Sequence, residues 1–375
     1  MKRLPYPDRV VVILLSVLMV LGPEFSETGA KARADSAPME LRYAENFRVD
    51  NLENGAALLT VGEKEQYLLL PAETAAPAEY EKLPRIPIPA ENVYLASSSA
   101  ADLFLQANAL SSVRDSGTSS ENWKIPELQT ALKDGEILYA GKYSAPDYEL
   151  LLTEGCGLAV ENTMILHSPA TKEKLEELGI PVLVEYSSYE PHPLGRVEWI
   201  KLYGLLSGRL EEAEAFFEQQ EEIFHSAEAS EPTGKTVAFF HITPAGAVVV
   251  RRQADYVTRM IELAGGETAV ADLPEEEKAL STVTIQMESF YVQALNADVL
   301  IYNSTTAGDV ESMEQFLALS PLLKEFKAVQ EGNVWCTEMS MFQKSSAAAE
   351  MIADLRAIVT DSAEDAQLHY QHKIE

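Results

Sequence analysis

The chain has 375 residues, of which 46% are hydrophobic and 23% are charged, and its formal net charge is −30. This length exceeds what one hydrophobic core usually serves, so we expect two or more domains. The apolar content argues against a disordered chain. So acidic a protein is poorly suited to nucleic acid or to an anionic membrane face, and we predict no nucleic-acid partner.

Residues 1–34 differ from the rest of the chain. Three basic residues, Lys2, Arg3 and Arg9, precede an uncharged apolar run at 10–21, and KARA ends the segment. A basic segment, a short apolar segment and an A-x-A site are typical of a signal peptide. Twelve residues rise about 18 Å in a helix, short of the roughly 30 Å hydrocarbon core. We therefore predict an exported protein, periplasmic or at the cell surface. An uncleaved membrane anchor is the alternative, because the apolar run lies far from Ala34.

Residues 35–90 predict a β-hairpin followed by an extended arm. The runs FRVDNL and AALLTV flank Glu53, Asn54 and Gly55. Asn-Gly between apolar runs favours a hairpin because both residues tolerate positive φ. Five prolines between positions 71 and 89 exclude a packed helix in the arm.

From residue 92 onward, short apolar runs alternate with helical stretches, which indicates parallel strands covered by helices on both faces. We predict an α/β fold of two α/β lobes with central, mostly parallel sheets, at 91–194 and 231–375. The apolar runs are VYLA (93–96), ILYA (137–140), LAVE (158–161) and VLVE (182–185), then VAFFH (237–241), AVVV (247–250), VLIY (299–302) and VWC (334–336).

The connection between the lobes, residues 195–230, is rich in helix formers. Apolar residues recur there at three- and four-residue spacing, as in Ala213, Phe217, Ile223 and Phe224. We predict a long connecting backbone helix with one interruption at Gly204 to Gly208, which would permit only small relative motions of the lobes. A disulfide between Cys156 and Cys336 would restrict such motion, and we expect two unpaired thiols instead.

Three segments carry a resemblance to a known family: EELGIPVLVEYSSYEPHPLGRVEWIKLYGLLSG (176–208), ALNADVLIYNST (294–305) and LLKEFKAVQEGNVWCTEMSMFQ (322–343). They resemble the helical-backbone class (class III) of extracytoplasmic substrate-binding proteins, over roughly residues 90–360. The resemblance implies a monomer with no intrinsic cofactor, which binds a small-molecule metal chelate and delivers it to the permease dimer of an ABC importer. One departure is that no Cys follows the apolar run, so the lipid attachment common in such proteins has no acceptor here.

The resemblance also implies two docking residues. In this family each lobe presents a surface Glu near the start of a helix, and these engage Arg residues of the permease. The matching positions are Glu149 in APDYELLLTEGCGLAVEN and Glu288 in STVTIQMESFYVQALNADVLIY. The alternative is that each Glu only stabilises its own helix through the helix dipole.

Ligands of open α/β sheets bind outside the carboxyl ends of the strands, so the candidate ligand contacts follow the apolar runs. They combine aromatic faces with fixed cations, which suits a large, flat or anionic ligand. The candidates are Ser98, Lys142, Tyr143, Asn162, Tyr189, His192, His241, Arg251, Arg252, Thr305, Met341 and Phe342.

We predict a ferric siderophore as the ligand, with cobalamin or another corrinoid, or haem, as the alternative. Tyr189 and His192 are the only candidates for direct iron ligation, and we expect no other metal site. A zinc or manganese receptor would need clustered histidines, and the six histidines show no grouping outside the tail. His369 and His372 lie in that tail, which we expect to be frayed.

An enzyme is the rival class. Ser97, Ser98 and Ser99 follow a predicted strand, but the chain has no G-x-S-x-G elbow, no P-loop and no G-x-G-x-x-G fingerprint after a strand. We therefore predict no enzymatic activity. A surface hydrolase or chelatase on a similar fold is the less favoured alternative.

Overall fold

The computed structural model describes residues 37–273 and 281–375. The predicted export segment, 1–34, lies outside the described residues. Within those two ranges no helix is both long and apolar enough to span a membrane.

The N-terminal part of the described chain forms a four-stranded sheet in the order β1-β2-β3-β4. The predicted hairpin is present: β1 and β2 pair antiparallel, and Asn54 and Gly55 in the turn have φ of 57° and 74°. The segment forms more sheet than the predicted hairpin and extended arm, because β3 pairs with β2 and β4 adds to it in parallel. The strands are β1 (Phe47–Asn51), β2 (Ala57–Val61), β3 (Glu65–Pro71) and β4 (Arg85–Ile88).

The first lobe contains a five-stranded, fully parallel sheet in the order β7-β6-β5-β8-β9. Its four predicted strands are present, and β6 is an addition whose sequence, VRDS, carries no apolar run. The strands are β5 (Val93–Leu95), β6 (Val113–Ser116), β7 (Leu138–Tyr139), β8 (Leu158–Asn162) and β9 (Val182–Glu185). The helices are α1 (Ser98–Gln106), α2 (Pro126–Lys133), α3 (Tyr148–Thr153) and α4 (Pro169–Glu177).

The connection between the lobes is helical, as expected, and the expected interruption at Gly204 to Gly208 falls where one helix ends and the next begins. It consists of α5 (Pro193–Glu198), α6 (Ile200–Ser207) and α7 (Leu210–Ala227). The chain turns sharply at Gly208, which has φ of 71°. Gly204 faces the start of α7 so closely that a Cβ there would lie 2.5 Å from the Cβ of Ala213. The two glycines therefore allow α6 to fold back against α7.

The second lobe contains a mixed seven-stranded sheet in the order β13-β11-β10-β14-β15-β16, with β12 beside β10. The parallel strands β10, β14 and β15 form its centre, whereas β11, β13 and β16 run antiparallel to their neighbours. The strands are β10 (Thr236–Ile242), β11 (Val248–Arg251), β12 (Glu267–Thr268), β13 (Thr282–Ile285), β14 (Val299–Tyr302), β15 (Val334–Thr337) and β16 (Gln371–Lys373). The helices are α8 (Tyr256–Leu263), α9 (Met287–Ala294), α10 (Ser304–Ala307), α11 (Met313–Leu319), α12 (Lys327–Gln330) and α13 (Ala348–Val359).

The expectation of a frayed tail is wrong. The last strand, β16, pairs with β15, and the buried carboxylate of Asp354 accepts hydrogen bonds from the backbone N–H groups of His369 and Tyr370 at 2.9 and 2.7 Å. These contacts hold the chain end on the edge of the second sheet. Cys156 and Cys336 are free thiols, which confirms the expectation that they do not pair.

One apolar core runs through the connection and into both lobes. It includes Leu59 of the N-terminal sheet, Phe104 of α1, Phe217 of α7, Ile301 of β14 and Ile352 of α13. Smaller cores cover the outer face of each lobe's sheet. Because both lobes pack on the same helical layer, the two-lobe α/β class predicted from the sequence is confirmed, and the lobes are not independent cores.

Two buried glutamates fasten the N-terminal segment to the connection. Glu198 is fully buried, and its carboxylate accepts hydrogen bonds from the backbone N–H groups of residues 42–44 at 2.8 to 3.0 Å. The Lys201 ammonium lies 2.7 Å from the same carboxylate. Glu190 accepts in the same way from the backbone N–H groups of residues 45 and 46 and from the indole N–H of Trp199. Because charge-assisted hydrogen bonds satisfy these buried carboxylates, their desolvation is offset.

Glu198→Gln tests this anchor. The amide removes the counter-charge of Lys201 and points N–H donors at backbone N–H donors, so we expect a loss of about 3–5 kcal/mol in the free energy of unfolding. Urea denaturation measures it. The control is Glu212→Gln, which breaks an exposed ion pair with Arg209 and should cost less than about 1 kcal/mol. Equal losses in the two variants would contradict the anchor.

Glu161 on β8 generates a second prediction. It is fully buried, and neither of its carboxylate oxygens has a hydrogen-bond partner within the described ranges. Burial raises its pKa from 4.5 to about 8. Between those two pH values the unfolded chain releases a proton that the folded chain keeps, so stability falls as the pH rises through this window. Each pH unit of separation corresponds to about 1.4 kcal/mol.

Glu161→Gln removes this titration while keeping the shape of the side chain. We expect the variant to lose less stability than the wild type between about pH 5 and pH 8, measured as the urea midpoint at each pH. The exposed Glu127 provides the control, since Glu127→Gln should leave the pH dependence unchanged. Equal pH dependence in Glu161→Gln and the wild type would show that Glu161 ionises normally in the folded protein.

Candidate functional site

A cavity of about 720 Å³ lies between the first lobe, the connection and the second lobe. Its wall is dominated by hydroxyl, guanidinium and aromatic groups. The lining residues are Ser97, Ser98, Ser99, Asn162, Thr163, Met164, Glu185, Ser187, Ser188, Tyr189, Glu190, Pro191, Arg196, Arg251, Arg252, Ala254, Asp255, Tyr256, Ser281, Phe342 and Ser345.

The first-lobe wall forms at the carboxyl ends of β5, β8 and β9, as expected for a parallel sheet. Glu185, at the end of β9, organises it. Its Oε1 accepts hydrogen bonds from the hydroxyls of Ser97 at 2.7 Å and Ser99 at 2.6 Å, and its Oε2 accepts from the backbone N–H of Ser187 at 2.8 Å. Both oxygens are thus engaged inside the wall, which fixes the loops after β5 and β9 relative to each other.

Two further loops of the first lobe form the rim. Asn162 begins the loop after β8 by accepting a hydrogen bond from the backbone N–H of Met164 at 2.9 Å. Tyr189 is 62% exposed, and the Thr163 hydroxyl lies 3.5 Å from its phenol oxygen. The Tyr189 ring is therefore available to contact a bound molecule.

The second-lobe wall includes Arg251, Arg252 and Phe342, which the strand-end rule named, but not His241 or Thr305, which it also named. Because β11 runs antiparallel to β10, with Val250 opposite Phe240, the chain leaves β11 toward the amino end of β10. Arg251 is the last residue of β11, and its guanidinium carbon lies 4.5 Å from the centre of the Phe342 ring, with Nη1 3.4 Å from Oδ2 of Asp255. Burial raises the pKa of Asp255, and Arg251 opposes that shift. The guanidinium is thus held between an aromatic face and a carboxylate.

The connection supplies the third part of the wall through Arg196 of α5. Its guanidinium carbon lies 3.7 Å from the centre of the Tyr256 ring in the second lobe. Its Nη2 donates to the backbone carbonyl of Ser188 in the first lobe at 2.7 Å. This stacked cation therefore touches both lobes at the cavity.

The acidic lining groups direct their charge into the protein. Glu185 and Glu190 accept hydrogen bonds from surrounding protein groups, and Asp255 accepts from the backbone N–H of Val257 at 2.9 Å as well as facing Arg251. Among the polar groups at the cavity surface, guanidinium and hydroxyl groups predominate beside the apolar faces of Tyr189 and Phe342. The wall therefore favours a ligand that is rich in acceptor oxygens.

The cavity brings together six of the twelve predicted ligand contacts: Ser98, Asn162, Tyr189, Arg251, Arg252 and Phe342. The other six lie outside its lining. They are Lys142 and Tyr143 after β7, His192 at the start of α5, His241 on β10, Thr305 in α10, and Met341 in the shared core. Their role as ligand contacts stays a prediction.

Local contacts explain the placement of the two histidines. The Nδ1 of His192 accepts a hydrogen bond from the backbone N–H of Leu194 at 3.1 Å, and its ring packs 4.7 Å from that of Tyr43. Burial lowers the pKa of His192 to about 4, so it is neutral at pH 7. Burial, with the nearby Arg251 cation, also lowers the pKa of His241.

Sequence reasoning missed Glu185, Arg196, Asp255 and Tyr256. Glu185 ends the apolar run VLVE, and Arg196 lies in the predicted helical connection, so neither residue stands in a loop after a strand. Asp255 offered a usable signal, since an Asp before a helical stretch is a typical N-cap and does cap α8 here. Tyr256 becomes recognisable only when α8 is placed beside α5.

Comparisons with known proteins agree with this architecture. The sequence profile of the periplasmic binding protein family matches residues 93–338. The chain therefore belongs to the periplasmic binding protein family, which confirms the family predicted from the sequence, and it is a substrate-binding protein of the ABC-importer type.

Two curated relatives are uncharacterized lipoproteins of Methanocaldococcus jannaschii. One is 26% identical over 308 residues, covering 79% of this chain and 76% of the relative. The other is 25% identical over 250 residues, covering 64% of this chain and 56% of the relative.

Similar solved structures include the periplasmic heme binding protein HutB of Vibrio cholerae, with a TM-score of 0.57 and 18% identity over 71% of this chain and 98% of that one. The periplasmic vitamin B12 binding protein BtuF of Vibrio cholerae has a TM-score of 0.52 and 14% identity over 72% and 98%. A periplasmic heme binding protein of Pseudomonas aeruginosa has a TM-score of 0.58 and 15% identity over 76% and 98%. At these identities the likeness concerns the fold.

Proposed function

We propose that this substrate-binding protein captures a ferric siderophore, or a chelate of the same anionic, oxygen-rich chemistry, and delivers it to the permease of an ABC importer. The observation that carries the proposal is the convergence of Arg196 and Arg251 on the cavity, each stacked on an aromatic ring. Stacking orients a guanidinium, and the N–H groups that Asp255 and Ser188 do not engage can donate to carboxylate, hydroxamate or catecholate oxygens.

The same observation favours a chelate over the alternatives, cobalamin and haem. A tetrapyrrole or corrin ring needs broad apolar faces, but the Tyr256 and Phe342 rings already carry the guanidinium groups. The opposite wall is lined by serines. Tyr189 at the rim is the residue that favours haem, because an exposed phenol can bind ferric iron. Haem and cobalamin are therefore kept as competing ligands in the test.

No bond chemistry is assigned to the cavity. Among the residues that the structure describes, the lining contains no histidine or cysteine, and the Ser97 and Ser99 hydroxyls are bound to Glu185. A serine nucleophile usually needs an adjacent base that can take its proton and pass it on. The contribution of the protein is affinity for its ligand and recognition by the permease.

Intrinsic fluorescence titration identifies the ligand class. We expect saturable quenching of the tyrosine and tryptophan emission by ferric siderophores. Arg251→Gln should weaken their binding by about 10- to 100-fold, since a hydrogen bond to a charged group is worth about 1.5–3 kcal/mol.

Arg259→Gln is the matched control, because Arg259 lies on α8 but is exposed and paired with Glu262 at 3.0 Å. It should leave the affinity unchanged. Saturation by haem or cobalamin alone would select the alternative ligand class. Quenching by none of the three ligands would refute the proposed ligand and both alternatives together.

The proposed docking residues for the permease are Glu149 and Glu288. Each is exposed and lies in the first turn of a helix, Glu149 in α3 of the first lobe and Glu288 in α9 of the second. One carboxylate on each lobe, bound by a permease arginine, would set both the position and the orientation of the docked protein. The proposed organisation is a monomer with an export segment at 1–34, an N-terminal segment at 35–90, lobes at 91–194 and 231–375, and the connection at 195–230.

Glu149→Ala combined with Glu288→Ala tests the proposed docking role. We expect unchanged ligand affinity and a loss of uptake of about tenfold or more, because charged interface pairs set docking rather than ligand binding. Uptake is measured with the permease in proteoliposomes.

Glu127→Ala combined with Glu314→Ala is the matched control, since these are also exposed first-turn glutamates, in α2 and α11. Normal uptake by the Glu149 and Glu288 double variant would rule out a docking role for these two residues.

A further inference from the structure

A second cluster of ligand-type side chains lies in the second lobe, outside the cavity lining. Cys336 of β15 and His372 of β16 are paired across the two strands. Asp309, in the loop after α10, completes the group, and the possible ligand atoms of the three residues lie within 4.8 Å of one another. Cys336 is fully buried, whereas Asp309 is exposed. A soft sulfur, an imidazole and a carboxylate thus meet at one edge of the sheet.

The distances within the cluster match a coordination sphere. Cys336 Sγ lies 3.5 Å from Asp309 Oδ1, and His372 Nε2 lies 3.6 Å from the same oxygen. With Zn–S near 2.3 Å and Zn–N and Zn–O near 2.0 Å, a tetrahedral ion separates its ligand atoms by about 3.3–3.6 Å. The distances from Asp309 to the other two groups therefore match those around a zinc ion, and Asp309 is the exposed member of the group.

A fourth residue, Glu338, lies behind the histidine. Its Oε1 is 3.3 Å from His372 Nδ1, so Nδ1–H can donate to the carboxylate and leave Nε2 to face the metal. Histidines that bind metals commonly carry such a carboxylate on the other ring nitrogen. Nε2 also lies 3.3 Å from the backbone carbonyl of Val310, a contact that a bound ion would replace.

We propose that Asp309, Cys336 and His372 form a binding site for zinc, with Glu338 as a positioning residue. The thiolate and imidazole select a borderline-soft cation over calcium or magnesium, which prefer oxygen ligands. Zinc replaces the thiol proton of Cys336, and it joins β16 and β15 to the loop after α10. Its role is to hold the chain end on the second-lobe sheet, and it is independent of the ligand cavity.

The test uses the full chain after removal of metal with a chelator. Cobalt(II) serves as the spectroscopic probe, since thiolate ligation gives a charge-transfer absorption that carboxylate and imidazole sites lack. We expect one equivalent of cobalt with that absorption, displacement by one equivalent of zinc, and a higher unfolding temperature with zinc than without. Cys336→Ser and His372→Gln should each lower zinc affinity by at least about 100-fold, and Glu338→Gln by about 10- to 100-fold.

Cys156→Ser and His369→Gln are the matched controls. Cys156 is the other cysteine, and His369 precedes β16 in the same tail, and both variants should bind zinc as the wild type does. Absence of the thiolate absorption in the wild-type chain would overturn the site without recourse to any variant. Unchanged zinc binding by both Cys336→Ser and His372→Gln would overturn it as well. Because unfolding of each metal-free variant is measured in parallel, loss of the fold is separated from loss of the site.

Discussion

The capture of backbone N–H groups by two buried glutamates is the interaction on which the arrangement of this protein depends. Glu198 and Glu190 together bind five consecutive backbone N–H groups, those of residues 42–46. A buried carboxylate is tolerated only where charge-assisted hydrogen bonds replace its hydration. The backbone N–H groups of the N-terminal segment therefore replace water around the carboxylates of Glu198 and Glu190. These hydrogen bonds in turn fix where the N-terminal sheet begins. The same stretch of chain presents Arg196 to the cavity.

This fastening and the shared apolar core explain how the cavity is built. Both lobes pack on α5–α7 and α13, so a rotation of one lobe against the other would open a continuous core. The stacked pair of Arg196 and Tyr256 spans the cavity wall from α5 to α8. Such a site is largely preformed, which lowers the entropic cost of binding. If the permease binds one carboxylate on each lobe, as proposed, the distance between the two carboxylates would then be nearly constant.

Much of the fold is predictable from the chain, and the exceptions share a cause. Each of the eight apolar runs lies in a strand, and most of these strands are buried on both faces, which needs apolar residues throughout. The exceptions are β7 and β11, which are only partly buried. The strands that escaped prediction include β6 with Asp115 and β16 with His372, which are polar. These segments form strands because the neighbouring strands pair with them through backbone hydrogen bonds. The helical connection was predicted, but its fold at Gly208 depends on the contact of Gly204 with Ala213.

The sequence by itself determined the lobes, the hairpin turn, the family and the first-lobe loops of the cavity, because these follow from local periodicity and from the shared edge of parallel strands. Only the tertiary structure decided which of the second-lobe candidates meet at the cavity. An antiparallel strand pairs as well as a parallel one, and the run AVVV does not reveal its direction. With β11 reversed, Arg251 and Phe342 meet at the cavity while His241 and Thr305 lie outside its lining. The meeting of Cys336 with His372 was decided in the same way, since it exists only through the pairing of β15 with β16.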